Sequence, residues 1–334
     1  MCCHGGKAVC GPNSMSFKDP DSIAPWTASW QFESAASGSN RPPLDLLIEP
    51  SWFEFTDLLP KGARMLELAT GNGAVARSCA ERARARRKPL EIEAVDAADI
   101  NPPGLLPDAD GHLPKIRFQG GVWLEDLPFR DDEFHAVISQ FGFEYADEAL
   151  TVSEVSRVLS PNGKLRLVIH ARGGAVWEDI NYRHKRLSEV LAENGAANLV
   201  LTLVRAQQKH DVNTFNRKVK RLAAAANKAR ELAEQPPSDD SALFYAREFL
   251  YVWSHRRQYR LNDLLRSLED GWAHATGTDT RYGQMLRVAR SAEDIAALCE
   301  RFKTAGLTIN AVRQVCSPEN AAPVAWQVDA SRSG

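Results

Sequence analysis

The sequence lacks the marks of secreted, membrane-spanning and strongly charged proteins. It has no uninterrupted apolar run of about 18 residues, the length that spans a bilayer. The N-terminus has no continuous apolar stretch of the kind that secretory signals carry. The formal net charge of −2 over 334 residues gives no overall argument for binding to nucleic acid or to a membrane surface. We therefore expect a globular protein with a well-buried core.

Cysteine is sparse, and its six positions show no spacing typical of a disulfide framework. A reducing cytoplasm is the expected setting. Four residues near the N-terminus have side chains that can bind zinc: Cys2, Cys3, His4 and Cys10. Adjacent cysteines followed by glycines on a free terminus form a poor tetrahedral cage, so we predict no metal site. We expect a flexible leader over residues 1–25, with Met15 as a second candidate for the start.

From Arg64 onwards, short β-rich runs alternate with helical patterns, which is typical of an α/β protein with a parallel sheet. A helix is predicted over 74–86, and a second begins at Asp147 and ends at the Ser-Pro-Asn-Gly of 160–163. The predicted strands are 65–70, 91–96, 115–121, 135–141 and 164–171.

The pattern becomes helical between about 175 and 290, and the α/β pattern then returns. Ser291 and Asp294 form a capping-box signature for a helix that runs to Ala305. The runs LTINAVRQV and APVAWQVD follow as an antiparallel pair of strands. The helices predicted in the insertion are 181–193, 196–209, 212–234 and 242–271.

These patterns predict a Rossmann-like sheet of about seven strands with an α-helical insertion after strand five. Ligands of such sheets bind beyond the carboxyl ends of the strands, and an insertion leaving strand five would cover that edge. The predicted organisation is a leader over 1–25, an α/β core over 26–172, a helical insertion or cap over 173–290, and the C-terminal part of the core over 291–334.

The glycine-rich turn after the first strand of this region, MLELATGNGAVARS, allows two interpretations. Gly71, Gly73 and Ala76 fit the GxGxxA pattern of dinucleotide-binding proteins, although many strand-helix turns are glycine-rich only for packing. Glu67, in the strand just before the loop, would repel a pyrophosphate but complements a cofactor with a sulfonium and an ammonium group. Asp96 ends the next strand, where an acid can accept hydrogen bonds from ribose hydroxyls.

The downstream sequence decides between the two interpretations by resemblance. Together with ELATGNG, the segments Glu125-Asp126-Leu127-Pro128-Phe129, Phe134-His135-Ala136-Val137 and Arg157-Val158-Leu159-Ser160-Pro161-Asn162-Gly163 stand in the order and spacing of one family. The chain resembles the class I S-adenosylmethionine-dependent methyltransferases, within them the group that includes ubiquinone and menaquinone C-methyltransferases. The resemblance covers about 64–172 and, more loosely, 291–330.

The resemblance implies S-adenosylmethionine as cofactor, with Asp96 on its ribose and Ala97 beside its adenine. Trp123 and Leu124 replace the family's usual Asp-Ala pair. Because Trp123 cannot accept a hydrogen bond from the adenine amino group, Glu125 or backbone groups would take that part. The cofactor-binding residues implied by the resemblance are Glu67, Ala69, Thr70, Gly71, Asn72, Gly73, Asp96, Ala97, Trp123, Leu124, Glu125, Gln140 and Phe141.

Methyl transfer from a sulfonium depends mainly on alignment, exclusion of water and, where needed, removal of a proton. His170, at the end of strand five, is the candidate general base, with a structural histidine as the alternative. Glu144 is the second candidate catalytic residue. It lies in the run 141–145, which predicts either an aromatic wall for a substrate or ordinary packing.

Two motifs of nucleic-acid methyltransferases do not fit. Asn101-Pro102-Pro103-Gly104 follows strand two instead of strand four and lacks the aromatic residue of the Asn-Pro-Pro-aromatic motif, so a proline-stiffened loop is predicted there. No Pro-Cys pair follows strand four, which argues against a cytosine C5 nucleophile. The basic stretches 210–221 and 247–260 allow a nucleic-acid or anion surface, but a helix with a solvated basic face is favoured.

The leading hypothesis is a methyltransferase for a small-molecule acceptor, at an oxygen, nitrogen or carbon atom, under a helical cap that also offers a surface for a homodimer. The second is an RNA or protein methyltransferase that docks through the basic insertion. The third is a non-catalytic scaffold that binds the cofactor, and hydride transfer is the fourth.

Overall fold

The computed structural model describes residues 20–36, 43–102, 116–235, 240–317 and 321–334. The zinc-ligand cluster proposed and set aside for the N-terminus lies outside these residues, as do Pro103 and Gly104 of the predicted loop. None of the described helices combines the length and the apolar character needed to cross a bilayer.

One mixed sheet of seven strands organises the α/β part, in the order β3-β2-β1-β4-β5-β7-β6. The first five strands are parallel to one another, and β7 inserts antiparallel between β5 and β6. This confirms the predicted fold class and the antiparallel final pair. The strands are β1 Arg64–Leu68, β2 Glu91–Val95, β3 Ile116–Gln119, β4 Phe134–Gln140, β5 Leu159–His170, β6 Leu307–Cys316 and β7 Pro323–Arg332.

Helices cover both faces of the sheet and form a bundle after β5. The helices are α1 Pro20–Ala36, α2 Pro43–Asp57, α3 Ala74–Ala85, α4 Glu148–Val158, α5 Ala175–Leu191, α6 Ala196–Gln208, α7 Val212–Ala233, α8 Ser241–His255, α9 Leu261–Val288 and α10 Ala292–Thr304. Ser291 and Asp294 make the predicted capping box at the start of α10. Asp147 caps α4 by accepting from the Leu150 amide.

Each face of the sheet has its own apolar cluster. On one face, α4 and α10 pack against β4 and β5 through side chains such as Val155, Phe302 and Leu167. On the other face, α2 and α3 pack on β1 and β2 through residues such as Trp52 and Met65. Burial of these side chains supplies the main stabilisation of the sheet.

The helical insertion has a separate core of leucine, valine and alanine side chains contributed by α5 to α9. Two of its helices differ from the prediction. The segment 242–271 is not one helix, because α8 ends at His255 and a short 3-10 turn over Arg256–Gln258 precedes α9. The first helix begins at Ala175, six residues before the predicted start.

The N-terminal part also differs from the prediction. The boundary predicted at residue 25 lies inside α1, which begins at Pro20, a residue type favoured in the first turn of a helix. Helix α1 packs against α9 of the insertion. Gln284 of α9 accepts from the indole of Trp26 at 2.6 Å and donates to the carbonyl of Ser22 at 3.0 Å.

Candidate functional site

The glycine loop lies at the carboxyl end of the central strand. β1 pairs with β2 on one side and with β4 on the other, so the strand order reverses direction at this strand. In doubly wound sheets the crevice at such a reversal is the usual ligand site. The loop runs from Ala69 to Gly73 and leads directly into α3.

Glu67 holds this loop from below. Its side chain is 2% exposed, and one carboxylate oxygen accepts from the Thr70 hydroxyl at 2.6 Å and from the Ala76 amide at 3.0 Å. The carboxylate therefore connects the end of β1 to the first turn of α3. Burial raises the pKa of Glu67 to about 8, and the nearby carboxylate of Asp96 adds to the rise.

Asp96, at the end of β2, holds the loop from the side. Its two oxygens accept from the amides of Gly71 at 2.7 Å and Ala98 at 2.8 Å. Burial raises the pKa of Asp96 to about 6. Because a carboxylate oxygen can accept more than one hydrogen bond, both oxygens keep the capacity to accept from ligand hydroxyls.

The backbone at Ala69 has a conformation that favours glycine. Ala69 has φ of +51°, and Phe141 at the end of β4 has φ of +56°. The two strand ends approach each other so closely that a Cβ built on Gly142 would lie 2.3 Å from the Cβ of Ala69. Glycine at 142 is therefore required by this contact.

The residues expected near an adenine lie beyond β2 and β3. Ala97 and Trp123 are half-buried, and Leu124 is buried. Asn72, in the glycine loop after β1, is also half-buried. One oxygen of Glu125 accepts from the amide of Asp147 at 2.8 Å. Its other oxygen is buried and has no hydrogen-bond partner among the described residues. This free acceptor fits a ligand that brings a donor, such as an exocyclic amino group.

The end of β4 brings Gln140 and Phe141 to the same edge. Gln140 accepts from the indole of Trp52 at 2.6 Å, so α2 fixes its side chain. The ring of Phe141 lies 4.2 Å from the imidazole of His170, measured between centroids.

The structure brings the two candidate catalytic residues together. Nδ1 of His170 lies 2.7 Å from Oε1 of Glu144, and the same oxygen accepts from the His170 amide at 2.9 Å. The side chain of Glu144 is fully buried, and its second oxygen has no partner among the described residues. Nε2 of His170 likewise has no hydrogen-bond partner in the described part of the chain. A carboxylate on Nδ1 places the ring proton there and leaves Nε2 as the basic nitrogen.

Helix α1 adds residues that the sequence patterns did not single out. The indole of Trp30 lies against the glycine loop, since a Cβ built on Gly71 would be 2.6 Å from Trp30 Cζ2. Trp26 packs edge-on against Tyr145 with centroids 5.3 Å apart, and Tyr145 in turn lies 6.4 Å from His170. The separation of four residues between Trp26 and Trp30 was the available signal, because it places both rings on one helix face.

These side chains fit a cofactor with a cationic group, two ribose hydroxyls and an adenine amino group. The buried acid at 67, the acceptors of Asp96 and the free oxygen of Glu125 each have the required chemistry. No group of three His, Cys, Asp or Glu side chains able to hold a metal ion occurs among the described residues.

We predict a pH-dependent stability that originates at Glu67. In the unfolded chain this group releases its proton near pH 4.5, whereas in the fold it does so near pH 8. Its contribution to the free energy of unfolding is therefore complete below pH 4.5 and is lost as the pH rises towards 8. In urea unfolding, Glu67→Gln should gain stability relative to the parent chain as pH rises, whereas Glu231→Gln, at an exposed position, should not. Parallel profiles for Glu67→Gln and the parent would contradict this assignment.

A second prediction concerns the contact between Ala69 and Gly142. Gly142→Ala should lower the free energy of unfolding by about 1–3 kcal/mol, because the added methyl overlaps that of Ala69. Ala69→Gly relieves the cost of an alanine in the left-handed conformation, about 1 kcal/mol. It also removes the methyl group of Ala69, with which the added methyl at position 142 overlaps.

The double variant should therefore recover most of the loss caused by Gly142→Ala. A double-mutant cycle in urea measures this coupling directly. Additive effects of the two substitutions would show that the two strand ends do not make this contact.

Comparison with known proteins gives a second, independent indication of the kind of cofactor that this site fits. A family model described as "Methyltransferase domain" matches residues 66–167. The uncharacterized methyltransferases Mb3374 of Mycobacterium bovis and Rv3342 of Mycobacterium tuberculosis are each 33% identical to this chain over 116 residues. That region is 34% of this chain and 43% of either relative, so the chain spans less than half the length of the curated relatives it matches.

Among solved structures, the chain is similar to the Burkholderia thailandensis 1,6-didemethyltoxoflavin-N1-methyltransferase with 11% identity and a TM-score of 0.46. The alignment covers 98% of this chain and 94% of that one. This similarity is too low to carry an argument about function. The matched domain includes the glycine loop, Asp96, Glu125 and Glu144. Residues 66–167 of the chain are therefore assigned to a methyltransferase domain of the S-adenosylmethionine-dependent type.

Proposed function

We propose that the protein transfers a methyl group from S-adenosylmethionine to a small-molecule acceptor. The observation that carries this proposal is the glycine loop at the centre of the sheet. The buried side chains of Glu67 and Asp96 both bond to this loop, which lies within the matched methyltransferase domain. An acid buried beneath the glycine loop argues against a pyrophosphate-bearing dinucleotide and for a cationic cofactor. The ubiquinone- and menaquinone-type subgroup stays a prediction.

The donor side uses the residues of the loop and its neighbours. When bound, S-adenosylmethionine supplies an electrophilic methyl group on a sulfonium. Glu67, once ionised, complements the positive charge, and Asp96 accepts from the ribose hydroxyls. Glu125 offers its free oxygen to the adenine amino group, with Trp123 packed beside the ring. Ala69, Thr70, Asn72, Gly73, Ala97, Leu124, Gln140 and Phe141 complete the proposed cofactor site.

The acceptor side uses the pair of His170 and Glu144. Nε2 of His170 takes the proton that an oxygen, nitrogen or acidic carbon nucleophile loses as it attacks the methyl group. Glu144 holds the ring through Nδ1 and stabilises the imidazolium that forms, since its contact distance of 2.7 Å is that of a charge-assisted hydrogen bond. Phe141, Tyr145 and Trp26 form an aromatic wall beside this pair, which favours a planar or apolar acceptor.

The helical parts give the proposed site its cover. Helix α1 packs on the loop with Trp30 and on the insertion with Trp26, so it joins the core to residues of α9. We propose that 173–290, together with α1, acts as a cap that selects the acceptor and excludes water. A homodimer through the insertion and a cytoplasmic setting are also proposed. The second is supported by the free state of Cys79, Cys299 and Cys316.

Isotope-labelled S-adenosylmethionine tests the proposed reaction. The protein is incubated with donor and a host lysate, and the label is followed by mass spectrometry in three fractions: small molecules, RNA and protein. We expect label in the small-molecule fraction. Label confined to RNA or protein would support docking of a macromolecule instead, and binding of the donor without transfer to any fraction would support a scaffold.

The proposed base is tested by substitution. His170→Ala should lower turnover by about 10²- to 10⁴-fold, the usual contribution of a general base, and should leave donor affinity unchanged. Glu144→Gln should also lower turnover, because it weakens the charge-assisted hydrogen bond that orients the ring through Nδ1. His135→Ala is the matched control, since His135 lies at the other end of β4 and bonds the amide of Arg64. Near-normal turnover of His170→Ala would remove this residue from the mechanism.

A further inference from the structure

A second cleft lies at the far end of the helical insertion, between the turn that joins α6 to α7 and the turn that joins α8 to α9. Its volume is about 560 Å³, within the range of small-molecule sites. The two basic stretches 210–221 and 247–260, which the proposed methyl transfer does not use, meet here and both contribute lining residues.

The floor of this cleft is apolar and partly aromatic. Ala206 and Leu264 are buried beneath it, and Phe215 is half-buried at its side. The ring of Phe215 lies 6.3 Å from that of Trp253. Val212 at the rim leaves 64% of its surface exposed. Binding of an apolar ligand over this floor would be favourable, because it would remove exposed apolar surface from water.

The rim of the cleft carries positive charge without a partner. Arg256 lies over the ring of Trp253 at 4.1 Å and donates to the Trp253 carbonyl at 2.8 Å, which fixes its guanidinium. Neither Arg256 nor Arg257 makes an ion pair among the described residues. The carboxylate of Asp211, also in the lining, is occupied as the cap of α7 and accepts from the Thr214 amide at 3.0 Å.

This cleft is remote from the glycine loop. Leu264 and Arg281 lie on the same helix, α9, and Arg281 is the residue that bonds Ser29 of α1 above the loop. At 1.5 Å per residue the two positions are about 25 Å apart along the helix. The cleft is therefore separate from the proposed acceptor site.

We propose that the cleft binds a small carboxylate with an aromatic or acyl body. The body covers Leu264 and Phe215, and the carboxylate lies at the guanidinium groups of Arg256 and Arg257. A fixed arginine fork is the usual partner of a carboxylate. A small ligand suits the site better than a nucleic-acid strand, because the volume of the cleft is that of one small molecule and the chain as a whole carries a net charge of −2.

Fluorescence titration of the full chain tests this site without any assay of methyl transfer. Anilinonaphthalene sulfonate serves as an anionic aromatic probe, and naphthoate competes with it, with naphthamide as the uncharged competitor. We expect saturable probe binding that naphthoate reverses and naphthamide does not. The double variant Arg256→Gln/Arg257→Gln should weaken naphthoate at least about tenfold, the value of one lost charge-assisted hydrogen bond.

Two further variants distinguish the loss of positive charge in the cleft from a general effect of the substitutions on folding. Arg256→Lys/Arg257→Lys keeps both charges and should retain most of the affinity. Arg230→Gln/Arg247→Gln removes the same charge from α7 and α8 outside the cleft and should bind naphthoate as the parent does. Equal affinity of the Arg256→Gln/Arg257→Gln variant and the parent would overturn the proposal. So would stronger displacement of the probe by oligouridylate than by naphthoate, which would indicate a nucleic-acid surface.

Discussion

The carboxyl group of Glu67 occupies the point at which the central strand, the glycine loop and helix α3 meet, and the rest of the site depends on how this buried acid is held. Because Glu67 is only 2% exposed, water cannot solvate its side chain. The Thr70 hydroxyl and the Ala76 amide donate hydrogen bonds to it instead. These bonds fix the loop, and Asp96 fixes it again at Gly71. The pKa of about 8 at Glu67 leaves room for a cationic ligand to favour the ionised form.

Helix α1 contacts both this centre and the helical insertion. Its two tryptophans reach the glycine loop and the aromatic residues near His170, while its polar contacts bind α9 of the insertion. Helix α1 therefore links the insertion to the glycine loop. The insertion itself is stabilised by its own core, which allows its far end to carry a site of a different kind.

Local signals in the sequence predicted much of the fold. The buried strands, the capping box at Ser291 and the antiparallel final pair all follow from patterns of adjacent residues. The break between α8 and α9 did not, because Arg256 to Arg260 include neither glycine nor proline and tertiary packing ends the helix there. Helix α1 was not predicted, because it contains Pro25 and its apolar residues form no amphipathic stripe.

The residues of the site could be predicted from the sequence, but most of the contacts between them could not. The acids at 67 and 96 are marked by their positions at strand ends. The bond between His170 and Glu144 joins residues 26 positions apart and needs the adjacent ends of β4 and β5, a register that single-sequence patterns do not define. Trp30 on Gly71 and the free oxygen of Glu125 are likewise products of tertiary packing.

Calorimetric titration tests most directly whether Glu67 provides the negative charge for a cationic methyl donor. Near neutral pH the free protein holds a proton on Glu67, so a ligand that favours the ionised form must release it. We expect saturable binding of S-adenosylmethionine with proton release, seen as a dependence of the heat on the ionisation enthalpy of the buffer, and no binding of NADH. Glu67→Gln should abolish the release. Binding of NADH in place of S-adenosylmethionine, or donor binding with the same proton release in Glu67→Gln, would contradict this role of Glu67.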